Sequence, residues 1–343
     1  MWRVAQRSPP QEKTPLVWIG ALGFEERGLG VLRTLVAERA HVVGSLVLNY
    51  GSMAGADGAD EERRRRIGDE GSALLSALGC PGVTRKVDPY NFQECIQTLR
   101  DFIGTSDAHA VCLFDLTCMT KIHAVALACF LSREIKVRWR VGYTTPETYS
   151  SPSRRTRRLG CRDVLLVPLS PTAQIVNERN SRGIVVPGLE ADRLSVALGE
   201  VEPSGGVILM CDAPGDPNLR RKARAANKRA IQALSWRTSM QWKETSLQVD
   251  RLHRAYFVVA EEVEAASARG GSPVFLFPFG PKPLALVLGF ELALTYARAS
   301  WLVYSIPFAY DLGYTQGVSA TYWLSNDRHD EGTPQLDRTG RAT

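Results

Sequence analysis

Four residues recur at one spacing along this chain. Lys121, Tyr143, Pro146 and Tyr149 are followed 161 positions later by Lys282, Tyr304, Pro307 and Tyr310. Upstream, the apolar run 45–50 precedes the apolar run 206–211 by the same 161 positions, and Gly23-Phe24-Glu25 precedes Gly188-Leu189-Glu190 by 165. A four-residue length change between them accounts for the difference. A shared offset in lysine, proline and tyrosines is more than a shared pattern, and it implies two copies of one unit in tandem. With 343 residues the chain has room for two compact domains of about 150 residues each.

Each copy reads as alternating strands and helices, the pattern that builds a mainly parallel sheet covered on both faces. The first copy places strands at 16–21, 46–50, 83–87, 110–115 and 137–143. The second places them at 184–186, 207–211, 240–243, 274–277 and 301–305, with a helix over 217–234 capped by Asp216 and opened by Pro217. A late strand, 162–167 or 320–324, closes each unit. The expected fold class is therefore α/β: two tandem Rossmann-like units, related by a pseudo-twofold, each a mainly parallel sheet with helices on both faces. The expected boundaries are 1–155 for the first unit, 156–182 for a basic connector with a closing strand, 183–325 for the second unit and 326–343 for a disordered tail.

Charge is uneven. The formal net charge is +6, yet the stretch 151–182 sets seven arginines against Asp163 and Glu178, and 219–229 carries six cations and no acid. The rest of the chain is net acidic, so an anionic partner belongs at particular places. Two basic helices follow the second strand of each copy, one with Arg63 and Arg64, the other with Arg220, Arg221 and Arg224, and they are candidates for phosphate or nucleic-acid contact. Seven cysteines without a C-x-x-C pair indicate neither a disulfide framework nor a zinc knuckle. No apolar h-region follows Met1, and the apolar stretches 110–131 and 273–297 carry Asp115, Lys121 and His123, or Lys282 and Glu291. Charges at that depth are costly in hydrocarbon, so each stretch reads as a buried strand followed by a helix, and the expected location is the cytoplasm.

In open parallel sheets ligands bind beyond the carboxyl ends of the strands. Gly23, Glu25 and Glu190 fall there after the first strands, Asp115, Thr117, Thr120 and Lys121 after the fourth strand of copy one, and Lys282 after that of copy two. A helix start near Thr120 offers backbone N–H groups and a favourable dipole to an anion, and Lys121 adds a mobile charge. The glycines fit neither a Walker P-loop nor G-x-G-x-x-G, and no metal spacing, nucleophile elbow or H-E-x-x-H occurs. Neither a metal nor a cofactor is expected.

Asp115-Leu116-Thr117-Cys118-Met119-Thr120-Lys121 resembles the Asp/Asn-X-Ser/Thr-X-X-X-Arg/Lys signature that follows the fourth strand of CARF domains, sensors of cyclic oligoadenylates in CRISPR-linked and related antiviral systems. Two tandem units would mimic the usual CARF dimer. The resemblance implies that Thr117 and Lys121 contact ligand phosphate or ribose and that the loop 23–27 lines the pocket. It departs in copy two, where Leu276 and Pro278 replace the acid and the hydroxyl, so a symmetric ligand would meet unequal half-sites. The expected function is sensing or binding of an anionic, cyclic-oligonucleotide-type ligand between the units, with output through a separate effector or complex protein. Two alternatives stand beside it: a ring-nuclease-like enzyme using Glu25 or Asp115 as base, and a nucleic-acid-binding subunit of a defence complex.

Overall fold

The computed structural model describes residues 2–5, 15–51, 58–80, 82–134, 136–150, 160–175, 180–212, 216–237, 242–248, 251–308 and 315–326. The expected tail beyond Asn326, the repeat member Tyr310 and the start of the strand expected at 240–243 lie outside them.

The first sheet contains β2 (Leu16–Ala21), β3 (Val42–Asn49), β4 (Val83–Lys86), β5 (Val111–Asp115) and β6 (Trp139–Thr144), all parallel. Their spatial order is β6-β5-β2-β3-β4. The second sheet repeats it with β9 (Arg182–Val186), β10 (Gly205–Asp212), β11 (Trp242–Gln248), β12 (Val274–Pro278) and β13 (Ser300–Pro307), in the order β11-β10-β9-β12-β13. In each sheet the strand order reverses beside the first strand of the unit, which opens a crevice between β2 and β5 and between β9 and β12.

The closing strands are exchanged. β8 (Cys161–Pro168), which follows the first unit in sequence, pairs antiparallel with β13 of the second sheet. β15 (Thr321–Asn326), which follows the second unit, pairs antiparallel with β6 of the first sheet. A strand at the N-terminus that the sequence reading did not include, β1 (Trp2–Ala5), adds to the far side of β15. Between these, β7 (Thr148–Tyr149) and β14 (Thr315–Gln316) form a two-stranded bridge that joins the segment after β6 to the segment after β13.

Helices fill both faces. α1 (Gly30–Ala37), α2 (Gly58–Ala77) and α3 (Phe92–Gly104) belong to the first unit. α3 buries Phe92, Cys95, Ile96 and Leu99 at helical spacing, and its N-cap Asn91 accepts the Glu94 N–H at 3.0 Å. The two apolar stretches of the sequence become β5 with α4 (Lys121–Arg133), and β12 with the helix Lys282–Thr295, numbered α9 below. Both helices are buried on every side because each is covered by its own sheet and by the other helix. Gly289 permits the close approach, since a Cβ there would touch Val125 and Ala128. One hydrophobic cluster therefore runs from Val17 through α4 and α9 to Val303, and it fastens the units into one body.

The remaining helices are α5 (Ala191–Val201), α6 (Leu219–Ala226), α7 (Lys228–Arg237) and α8 (Arg254–Ser267). The single helix expected over 217–234 is thus two, interrupted at Asn227, whose buried side chain donates to Gly188 O at 2.6 Å and Ala223 O at 2.8 Å. Asp216 is not its cap. It accepts the N–H of Asn218 at 3.0 Å, and Asn218 takes the cap position. Among the described residues no helix is long and apolar enough to cross a membrane, and the seven cysteines are free thiols.

Candidate functional site

The carboxyl ends of both sheets converge where α4 and α9 begin. Thr120 caps α4, its hydroxyl oxygen accepting the His123 N–H at 3.2 Å while the hydroxyl donates to Pro89 O at 2.9 Å. His123 is fully buried one turn in. Its Nδ1 lies 3.0 Å from the Tyr50 hydroxyl and its Nε2 3.0 Å from Asp88 O. Burial pushes its pKa down to about 4, so the neutral ring donates from Nε2 to the carbonyl and accepts from Tyr50 at Nδ1.

The two lysines at the helix starts cross between the units. Lys121 Nζ donates to Phe279 O at 2.6 Å, and Lys282 Nζ donates to Thr117 O. Each lysine of one unit thus holds the loop that opens the other unit's helix. Burial lowers the pKa of Lys121 to about 7, with Arg193 and Lys282 adding repulsion against the pull of Glu190. Burial lowers Lys282 to about 8, with Arg27 the next cause.

A second pair of cations flanks them. Arg27 binds Glu25 at 2.5 Å, donates to Thr144 O at 3.0 Å and lies 5.7 Å from the centre of the Tyr143 ring. Arg193 binds Glu190 at 2.5 Å, donates to Ser305 O at 2.7 Å and lies 4.7 Å from the Tyr304 ring centre. Burial acts to raise the pKa of Glu25, but Arg27 and Lys282 outweigh it and hold the carboxyl below its ordinary range. Arg193 was not among the residues singled out from the sequence. Its spacing from Arg27, 166 positions, is one more than that of the two glutamates and was the available signal.

A cavity of ≈ 790 Å³, counted out to its mouth, opens over this group. Gly23, Glu25, Thr120, Lys121, Glu190 and Lys282 all line it, together with Phe24, Tyr50, Met119, Arg193 and Tyr304. Asp115 and Thr117 lie beneath. The Thr117 hydroxyl accepts the Thr144 N–H at 3.0 Å, and Asp115 Oδ1 accepts the Thr117 N–H at 3.0 Å while its Oδ2 has no hydrogen-bond partner among the described residues. Burial raises the Asp115 carboxyl to about 6 against the pull of the Thr117 hydrogen bonds. The motif threonine and aspartate shape the turn that presents Lys121. Of the two bases in the enzymatic alternative, Glu25 is held by Arg27 and Asp115 lies outside the cavity lining.

The basic helices stand elsewhere. Arg63 and Arg64 are half-buried on α2. Arg220, Arg221 and Arg224 line a separate groove with Glu244, Thr245 and Ser246. Their acids come from neighbouring strands, Asp212 at 3.6 Å from Arg220 and Glu244 at 3.0 Å from Arg224, a pairing that local sequence does not reveal. Among the described residues no group of three or more His, Cys, Asp or Glu is placed to hold a metal ion.

No protein-family model matches the chain, and no curated protein matches it by sequence. Among solved structures it is similar to a type III CRISPR defence DNA nuclease activated by cyclic oligoadenylate, at 12% identity and a TM-score of 0.49 over 89% of this chain and 68% of that one. It is similar also to Cap4 of Acinetobacter baumannii, a SAVED/CARF-domain receptor in complex with a cyclic trinucleotide, at 13% identity and a TM-score of 0.34 over 69% and 43% of the two chains. A third is Can2 of Sulfobacillus thermosulfidooxidans in complex with cyclic tetra-adenylate, at 15% identity and a TM-score of 0.26 over 37% and 31%. The chain folds as two Rossmann-like units, and the segment from Asp115 to Lys121 forms the junction of β5 and α4 in the first of them.

Proposed function

We propose that this protein is a nucleotide sensor of an antiviral defence system, acting in the cytoplasm and built by duplication of one CARF-like unit. The observation that carries the reading is the pair Lys121 and Lys282, brought from two helix starts to one cavity at the strand ends of both sheets. Each ammonium now bonds a backbone carbonyl. A phosphate oxygen makes the stronger, charge-assisted bond and draws on the helix dipole as well. Phe24, Tyr50 and Tyr304 supply flat apolar surface on which a base can lie. The ligand is then an anionic nucleotide held between the units, and the response passes to a partner chain.

Isothermal titration of the full chain with a panel of cyclic and linear oligonucleotides tests this. At least one member should bind, and Lys121→Ala should weaken it by roughly 1.5–3 kcal/mol through loss of a charge-assisted contact. Absence of binding by every member, with the protein folded, would overturn the reading.

A further inference from the structure

We propose that Phe279 is a positioning residue that ties Lys121 to α5 and β13, so that drawing Lys121 away loosens the second unit while drawing Lys282 away leaves the first unit as it is. The role of a ligand in this rests on the nucleotide reading above, whereas the tie itself is tested without one.

Phe279 occupies the turn between β12 and α9 and is held at each of its groups. Its N–H donates to Phe277 O at 3.1 Å. Its carbonyl abuts Gly188, where a Cβ would collide with it, and accepts from Lys121 Nζ at 2.6 Å. Its buried ring lies parallel to that of Tyr304 in β13, with centroids 5.8 Å apart and planes 9° from parallel. Arg193 of α5 stands beside both rings, 5.5 Å from the centre of Phe279 and 4.7 Å from that of Tyr304. Arg193 is fastened to β13 in turn. It donates to Ser305 O at 2.7 and 3.1 Å, and the Ser305 hydroxyl donates back to Arg193 O at 2.9 Å. α5 packs also on β8, the antiparallel neighbour of β13.

The first unit has no such arrangement at the matching place. The residue 161 positions before Phe279 is Cys118, which carries no ring and rests its sulfur against Gly23 and Gly28. The acceptor of Lys282 is Thr117, whose N–H donates to Asp115 Oδ1 at 3.0 Å and whose hydroxyl accepts the Thr144 N–H at 3.0 Å. Both of those bonds lie within the first unit and survive the loss of Lys282. Loss of Lys121 has a different result. The carbonyl of a buried residue is left without that donor, a costly state that the turn relieves by rotating. The ring turns with its own backbone, so it slides across Tyr304 and Arg193, and the disturbance passes to β13 and α5.

Hydrogen exchange of the full chain, followed by mass spectrometry in the absence of ligand, measures this. Lys121→Met should raise exchange about tenfold in α5 and β13 while β3 and β6 stay within about twofold. Lys282→Met should leave β6 within about twofold, and Lys121→Arg, which keeps a donor, should restore the natural exchange of β13. The tie through Phe279 is isolated by a double-mutant cycle: in a Phe279→Leu chain, adding Lys121→Met should raise exchange in β13 by less than about twofold. Lys121→Gln repeats the cycle with a polar side chain that tolerates partial burial, in case Lys121→Met opens the whole chain. Equal rises in β3, β6 and β13 with both Lys121 variants, no rise in β13 with either, or the same rise with and without the Phe279 ring would overturn this inference and leave the nucleotide reading standing. The expected exchange pattern in a chain that binds no nucleotide would overturn that reading alone.

Discussion

Lys121 and Lys282 each fasten the other's unit, the first through the carbonyl of Phe279 and the second through the carbonyl of Thr117. The two bonds are counterparts across the pseudo-twofold, and both end on loops that start a buried helix. On the proposed nucleotide reading, an arriving phosphate would compete with the two carbonyls for the same ammonium groups, and ligand capture would be coupled to the fastening of the units through the same two side chains.

Proton linkage follows from the lysines. Their folded pKa values, about 7 and about 8, lie below the usual 10.5 because of burial, so the folded chain binds fewer protons than the unfolded chain between pH 7 and 10.5. Stability contributed by these groups should rise as pH rises through that window. A phosphodiester ligand favours the charged lysines and should draw protons from the buffer at pH 8, with uptake falling toward zero near pH 6. Titration in buffers of different ionisation enthalpy measures this, and equal heats at pH 8 would remove both lysines from the site.

Asp115 behaves in the opposite sense. Its folded pKa of about 6 exceeds the ordinary 3.8, so the folded state binds more protons and loses stability as pH rises from about 4 to 6. Asp115→Asn keeps an acceptor for the Thr117 N–H without the buried charge. The variant should melt at a higher temperature than the natural chain at pH 7 to 8, and the gain should vanish near pH 4. A gain independent of pH would contradict the assignment.

Tyr50→Phe removes the partner of His123 Nδ1 and leaves a buried ring nitrogen unsatisfied. The expected loss is about 1–3 kcal/mol in denaturant unfolding. An unchanged midpoint would mean that the hydroxyl does not bond the ring.

Gly188→Ala should also destabilise, because a Cβ there meets the carbonyl of Phe279, the acceptor of Lys121. Overpacking of this kind costs about 1–3 kcal/mol. Nucleotide affinity should fall with it. Gly199→Ala, inside α5 with open space around it, is the control and should stabilise by roughly 0.5–1 kcal/mol. Equal effects of the two substitutions would show that the Gly188 contact is unimportant.

The alternation of strands and helices was legible because apolar runs and turn residues are local signals, and the 161-residue offset pointed to both lysines. Other features depend on what meets in space. Thr117 matches a motif, yet its hydroxyl is taken by Thr144, a residue 27 positions away. The acids beside Arg220 and Arg224 come from β10 and β11. Asn227 breaks a helix that pattern alone would continue, because its side chain is committed to Gly188. The destination of β8 and β15 was hidden for the same reason, since an edge strand carries no mark of which sheet it will join.

That exchange of edges bears on how the chain reaches its native state. β15 reaches β6 across nearly the whole intervening sequence, so the first sheet cannot be completed until the second unit is in place. Contacts between residues this distant in sequence form late and slow folding. The chain should consequently melt in one transition rather than two, and neither half should persist alone in its native form.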